Sequence, residues 1–337
     1  MNASHGQNES GGNSKWMCQT LAAESVVGVL GNLLVCFVIL RVKFLHNMTN
    51  YLLVNLAVAD MLVCLQAFFY HLVAHESCAL LHYIPSSFGG RELYCRLLTS
   101  RFLTWAFSYA SAYCLSLVTL ERYVAIVYPL KYERKLTTVR MKSLIALAWA
   151  MSVSLSMPFL FTTEPIDEPD QTCSTITYPH QAFPSVVSVV AFVTAYLLPV
   201  ILMTLAYYKM QATLKRQAKA LNLQHARAAA YDLVIARQRL VSMLIIVLGA
   251  LLILWAQSYI GILICLHPTE ESYFTFCGSI EYSYVRGFSD FAFYLNSAIN
   301  PVIYEFKYKK FRQGLKAAFC PCSKRHGNNR IDFEMAP

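Results

Sequence analysis

Apolar residues gather into seven long runs, at approximately 20–40, 51–74, 97–127, 144–161, 183–210, 240–266 and 280–304. A bilayer core is crossed by about 20 apolar residues in a helix, so each run predicts one membrane-spanning helix. The last run holds or adjoins Glu281, Arg286 and Asp290. Charges at membrane depth are costly unless they face a protein interior or a wet cavity, so these three mark a site and not a failed span. Beyond it, Phe306, Phe311, Leu315 and Phe319 alternate with basic residues. That rhythm predicts an amphipathic eighth helix lying along the membrane. The expected fold is an all-α membrane protein: a tail at 1–19, a seven-transmembrane helix bundle at 20–304, and the short eighth helix with a second tail at 305–337.

Charge gives the bundle a direction. Of 28 Lys and Arg, only Lys15, Arg91, Arg96, Arg101 and Arg286 fall on the side of the N-terminus. By the positive-inside rule that side is extracellular and the C-terminus is cytosolic. Twelve of the 19 Asp and Glu lie in the outer half, six on the inner side, and Asp60 in between. A net-negative outer face would steer a cationic ligand, although solubility of the outer loops explains it equally.

Composition adds an exclusion. Hydrophobic residues make up 56% of the chain and charged ones 14%, against roughly 25% charged in a typical soluble domain. So little charge cannot coat a globule of this size, and much of the surface faces lipid. The net charge of +9 sits in the gaps between apolar runs and not on a soluble basic module, which argues against nucleic acid.

The first residues show no positively charged start followed by a short apolar stretch, so no cleavable signal peptide is expected and the first helix carries its own targeting. Asn2 and Asn8 stand in glycosylation triplets in the outer tail. Asn47 matches the same pattern in an inner loop, where glycosylation does not occur. Among eleven cysteines, Cys18, Cys78, Cys95, Cys173 and Cys277 fall in outer segments, where disulfides persist. Cys95 heads the third run and Cys173 lies in the second outer loop, which invites a bridge pinning that loop over the bundle; the alternative is two free thiols. Cys18 with Cys277 is a looser pairing. Cys320 and Cys322, after the amphipathic stretch, suit S-acylation at the inner membrane face, with a metal site as the competing reading.

Motifs spread over nearly the whole chain resemble those of rhodopsin-like G-protein-coupled receptors. They are Gly31-Asn32, the run Asn55 to Asp60, Glu121-Arg122-Tyr123, Trp149, Pro199 with Tyr207, Trp255, and Asn300-Pro301 through Tyr304, each in the matching helix. Three features depart from the family pattern. Gln257 stands where a helix-6 proline is usual, Leu251 and Ala112 replace common residues, and the interval from Cys95 to Arg122 is two residues longer.

The resemblance implies roles. Asn32, Ser111, Asn296, Ser297 and Asn300 would surround Asp60, a set of small oxygen-bearing groups able to hold an allosteric sodium ion or simply a satisfied polar network. Glu121 would hold Arg122 at rest by a charge-assisted bond, leaving Arg122 to meet a G protein when freed. A snorkelling interfacial Arg is the plainer reading. Tyr207 and Tyr304 would swing inward on activation, with Trp255 beneath the ligand. Tyr70, His71, Thr104, Trp105, Ser108, Ser258, Tyr259, Asp290 and Tyr294 would line the ligand pocket.

Thr104 stands where an amine receptor has an acid, and the seventh run contains no Lys for a retinal Schiff base. The stretch Leu56 to Asp60 and the Glu121-Arg122-Tyr123 end of the third run are similar to those of neuropeptide receptors. Asp290 could meet a basic or amidated peptide, unless it pairs with Arg286 one turn away. The expected partners are an extracellular ligand, a heterotrimeric G protein, arrestin, receptor kinases and membrane lipid, and the expected place is the plasma membrane. Alternatives are a receptor for a non-peptide small molecule, a constitutively active orphan receptor and, further off, a multi-span transporter. Nucleotide-binding, hydrolase and metalloprotease motifs are missing from the sequence, so no enzyme is expected.

Overall fold

The computed structural model describes residues 6–74, 85–166, 173–175, 182–223, 228–266 and 279–319. Among them are α1 (Gly6–Arg41) and α2 (Met48–Phe69), the latter prolonged by a π-turn at Tyr70–Ala74. A short helix, Phe88–Leu93, and a π-turn, Tyr94–Thr99, lead into α3 (Phe102–Val127). Then come α4 (Thr138–Ser156) with a 3₁₀ turn at Met157–Phe161, and the strands β1 (Thr163–Pro165) and β2 (Cys173–Thr175). The fifth helix, α5, joins Ala182–Ala191 to Leu198–Leu223 through a π-turn at Phe192–Leu197. It is followed by α6 (Ala228–Leu266), α7 (Ile280–Lys307) and α8 (Lys309–Phe319). Asn2, Cys78, Cys277, Cys320 and Cys322 lie outside the described residues, as does the side chain of Asn8.

Among the described residues, six spans are long and apolar enough to cross a membrane: Trp16–Arg41, Met48–Val73, Phe88–Val127, Thr138–Phe161, Ser185–Leu221 and Ala230–Ile262. The seventh crossing, α7, carries Arg286 and Asp290 in its first half and is closed in by α1, α2 and α6. Leu30, Leu33, Phe37, Leu147, Leu202, Leu205 and Ile253 are exposed, a surface that suits hydrocarbon and not water. Helix starts follow capping chemistry. Asn47 accepts from the Asn50 amide at 3.0 Å to open α2, and Thr137 accepts from the Arg140 amide at 3.3 Å to open α4.

The centre of the bundle is α3, which touches α2, α4 and α5, while α6 bridges α5 and α7. Where α1 meets α2, a Cβ built on Gly28 would stand 2.3 Å from the Cys64 sulfur and 3.2 Å from the Ala298 Cβ. Only glycine permits that approach. The apolar side of α8 buries Phe311 and presses Gly314 against Leu45, and its far ring, Phe319, lies 5.9 Å from Phe37.

The two extra residues before α3 are absorbed at its first turn. Ser100 closes the π-turn through its amide to the Cys95 carbonyl at 3.0 Å, and its hydroxyl accepts from the Phe102 amide at 3.2 Å. Arg101 between them adopts a left-handed conformation (φ 60°, ψ 14°), the only positive φ at a non-glycine residue among those described. For an L-residue that conformation costs about 1–2 kcal/mol. The helix then restarts at Phe102. The sequence expectation of an uninterrupted third helix from 97 is corrected accordingly.

The absence of a helix-6 proline also has a visible outcome. Gln257 keeps its backbone amide, its side chain donates to the Leu254 carbonyl at 3.3 Å, and α6 runs unbroken through it. Proline sits inside α7 instead, at Pro301.

Candidate functional site

At the end of the bundle that carries the Cys95–Cys173 bridge, α3 to α7 enclose a cavity of about 440 Å³. The bridge ties β2 to the start of the third span, with Cα atoms 5.7 Å apart. Strand β1 pairs antiparallel with β2, and Thr163 donates to the Cys95 carbonyl at 2.7 Å. The pairing expected from the cysteine positions is therefore made. Cys18 is disulfide-bonded too, to a partner outside the described residues.

Six aromatic side chains are among the described residues that line the cavity. Trp105 stacks on Phe159 at 5.5 Å and meets Phe293 edge-on at 5.4 Å. Phe293 in turn stacks on Trp255 at 5.3 Å, so an aromatic chain runs from the wall to the buried tryptophan of α6. Tyr259 packs against Tyr196 at 5.0 Å and Phe192 at 5.3 Å, both on the π-turn of α5. That turn also leaves the Thr194 carbonyl to accept from Tyr113 at 3.3 Å. π-turns interrupt helices preferentially at functional sites, and here three cluster toward one end of the bundle.

Among the described residues, three charged side chains line the cavity: Arg101, Arg286 and Asp290. Arg101 donates through both terminal nitrogens to the two Asp290 oxygens, each at 3.1 Å, and its guanidinium lies 5.1 Å from the Tyr70 ring centroid. One side chain thus clasps α2, α3 and α7 together. Asp290 is not paired with Arg286, as the helical spacing suggested, nor is it a free acid awaiting a cationic ligand. Its partner stands 189 positions earlier in the chain. No acid pairs with Arg286 among the described residues.

Of the nine residues expected at the pocket, Thr104, Trp105, Ser258, Tyr259 and Asp290 line the cavity. Tyr70, His71, Ser108 and Tyr294 do not. His71 and Tyr294 are buried against one another with ring centroids 5.8 Å apart, Ser108 is buried one turn below Thr104, and Tyr70 stacks under Arg101. Arg101, Tyr109, Phe159, Phe293 and Arg286 are lining residues that the sequence reading did not name for the pocket.

In mid-bundle, Asp60 is fully buried and accepts from Ser111 at 2.6 Å and Asn300 at 2.7 Å. Asn32 donates to the Ser297 carbonyl at 2.9 Å, binding α1 to α7. Asn296 is buried in the same helix. The side-chain oxygens of Asn32 and Asn300 accept nothing from the described residues. Trp149 donates to Asn55 at 3.2 Å, so the tryptophan of α4 reads the same α2 motif from the other side.

At the opposite, basic end, Glu121 is wholly buried. It forms an ion pair with Arg122 through two hydrogen bonds, and also accepts from Thr49 at 3.0 Å and from Tyr132 at 2.6 Å. Burial, and the carboxylate beside it, push the Tyr132 phenol above its usual range, so it stays a donor throughout the physiological pH range. Tyr123 points away from this group and meets Tyr128 edge-on at 5.8 Å. Tyr207 exchanges a 2.6 Å hydrogen bond with Thr119, and Tyr304 is buried. The tyrosines of α5 and α7 therefore lie within the bundle on either side of Arg122's helix.

The model of the seven-transmembrane receptors of the rhodopsin family matches residues 31–304. The chain belongs to that family. Neuromedin-U receptor 2 of Rattus norvegicus is 30% identical over 313 residues, covering 89% of this chain and 75% of that protein. Somatostatin receptor type 4 of Rattus norvegicus is 28% identical over 88% of this chain and 70% of its own length. Trace amine-associated receptor 9 of Mus musculus is 30% identical over 88% and 82% respectively. These are signalling receptors and not enzymes, and a multi-pass membrane protein is the form in which this chain exists.

Membership gives the three layers one logic. The aromatic cavity, the polar layer around Asp60 and the Glu121–Arg122 pair lie in series along α3, α6 and α7. A change of helix packing at one level must be accommodated at the next, because buried polar groups tolerate neither isolation nor gaps.

Proposed function

We propose that the chain is a plasma-membrane receptor with its N-terminus outside, which binds an extracellular neuropeptide in the disulfide-side cavity and activates a heterotrimeric G protein at the opposite end. The observation that carries this reading is the Glu121–Arg122 pair, buried at the cytosolic end of α3 and stacked in line with an aromatic cavity at the other end. Ligand favours a bundle in which the inner parts of α5 and α6 separate, Arg122 leaves Glu121, and the G protein enters and loses GDP. Coupling is reciprocal, so bound G protein tightens agonist. Leu130 in the second inner loop is entirely exposed, an apolar side chain offered to a protein partner or to lipid. Arrestin and receptor kinases would meet the same basic inner face.

A sodium ion fits the polar layer. Asp60 supplies the charge, and Ser111, Asn32, Asn296, Ser297 and Asn300 supply hard oxygen donors, two of which accept nothing from the described residues. Bound there, the ion would stabilise the resting packing by neutralising a buried carboxylate.

GTP-analogue uptake by G proteins, in membranes carrying the native chain or Arg122→Ala and exposed to a neuropeptide pool, tests the reading. Peptide-driven uptake in the native chain alone is expected. Full uptake in Arg122→Ala removes its role. Solute accumulation with no exchange in any membrane restores the transporter alternative.

A further inference from the structure

We propose that the cavity selects a ligand carrying a carboxylate beside an aromatic group, read by Arg286 together with Arg101, and that Asp290 positions Arg101 instead of touching the ligand. This rests on the receptor reading above and names the chemistry its ligand must have.

Charge comes first. Among the described residues the lining holds two guanidinium groups and one carboxylate, so this part of the wall is net positive although the acid-rich outer half suggested the reverse. A cationic ligand reaching Asp290 would have to share it with Arg101, whose guanidinium already engages both oxygens. Unlike an exposed pair, this one is shielded, with side-chain exposures of 22% and 19%. Beside the shielded Arg101 a second cation is repelled, so an ammonium group is disfavoured. An anion meets the opposite field.

Donor capacity comes second. A guanidinium has about five N–H groups in a rigid fork. Asp290 takes only one from each terminal nitrogen of Arg101, which leaves donors on the same group for a ligand oxygen. The clasp also removes the entropy that a free arginine would lose on binding. Asp290 in front and Tyr70 beneath fix the fork in one plane. The left-handed backbone at Arg101 places a conformational cost at this site. Strain of this kind is typical of residues held for function. Arg286, with no acid paired to it among the described residues, is the second and freer cation.

Shape comes third. About 440 Å³ bounded by Trp105, Phe159, Tyr259 and Phe293 suits one or two aromatic rings rather than a folded peptide. A free aromatic acid and an aromatic-ended peptide with an unblocked C-terminus share this chemistry.

The test measures thermal unfolding of the purified full chain in lipid nanodiscs, a readout of binding that needs no G protein. The probes are phenylpropionic, indolepropionic and naphthylpropionic acids, each with its amide and its amine. A parallel arm uses short peptides ending in an aromatic residue, with a free or an amidated C-terminus. Acids are expected to raise the unfolding midpoint where amides and amines do not, and Arg286→Gln should weaken them about tenfold, the usual size of a lost charge-assisted hydrogen bond. If only the peptide arm responds, the carboxylate belongs to a peptide end; if the small acids respond, a peptide is unnecessary. Amines stabilising as well as acids, Arg286→Gln leaving the acids unaffected, or no acid in either arm acting at millimolar concentration overturns the proposal. Nucleotide exchange on the same panel separates it from the coupling reading. Stabilisation by acids without exchange leaves the subsite standing and counts against coupling, whereas exchange driven only by amines does the reverse.

Discussion

Tyr132 donates its hydroxyl to Glu121 at 2.6 Å, and through that one bond the loop between α3 and α4 grips the carboxylate that holds Arg122. Glu121 has three side-chain donors around it, from α2, from α3 and from this loop. Removing one weakens the resting arrangement without touching Arg122 itself. Hydrogen bonds to charged groups contribute about 1.5–3 kcal/mol, and only the part not regained in the active arrangement matters. Tyr132→Phe should therefore raise basal nucleotide exchange by about three- to tenfold while agonist still increases it. Unchanged basal exchange would show that the loop contact is passive.

Arg237 on α6 feels the charge of Arg122, and no acid of α6 pairs across this gap among the described residues. Among the described residues, these ends of α3 and α6 are thus not latched by an ion pair. Arg237→Glu reverses the sign and supplies a cross-helix partner for Arg122. Basal exchange should fall severalfold in that variant, and agonist should be needed at higher concentration. Charge removal in Arg237→Ala should give a value between the two, and a rise in either variant contradicts this account.

Asp60 with Ser111 and Asn300 forms the polar layer that would hold sodium. If it does, raising sodium at constant ionic strength, with potassium as the balance, lowers exchange in the native chain. Asp60→Asn should abolish that sodium dependence. A persistent difference between sodium and potassium in the variant places the ion elsewhere.

Gly28 lets α1 approach α2 so closely that any Cβ would strike the Cys64 sulfur at 2.3 Å. Gly28→Val should lower the thermal midpoint of the purified chain, with overpacking costing about 1–3 kcal/mol. Pairing it with Cys64→Ala, which vacates the contact, should recover part of the loss. Equal midpoints for Gly28→Val with and without the second change would mean that the clash is relieved by another route.

The crossings were legible because a membrane demands long apolar runs, and the runs at 51–74 and 280–304 end within a few residues of the observed helices. Other boundaries were not. The fifth helix continues to Leu223 and the sixth begins at Ala228, well beyond the apolar limits at 210 and 240. Those inner extensions are charged and amphipathic, so a search for apolar length passes over them. The disulfide was legible from the positions of Cys95 and Cys173, as was the Asp60 layer from the resemblance. The Arg101–Asp290 clasp was not, since its partners are joined only by the folded bundle. Its one trace in the sequence is the extra length between Cys95 and Arg122, which gives the chain room for the turn that swings Arg101 toward α7.

The unbroken sixth helix changes how a small event can be amplified. A kinked helix swings its two halves about a flexible joint, whereas one without a joint behaves as a stiff beam. From Trp255 to its start at Ala228 the beam is roughly 40 Å long, at about 1.5 Å per residue. Tilting it by only about 10° about the tryptophan carries its far tip some 7 Å, by the same helix geometry. Displacement at the far end is then set by the angle the aromatic fulcrum allows, and ligands that differ by a single ring could be graded by leverage alone.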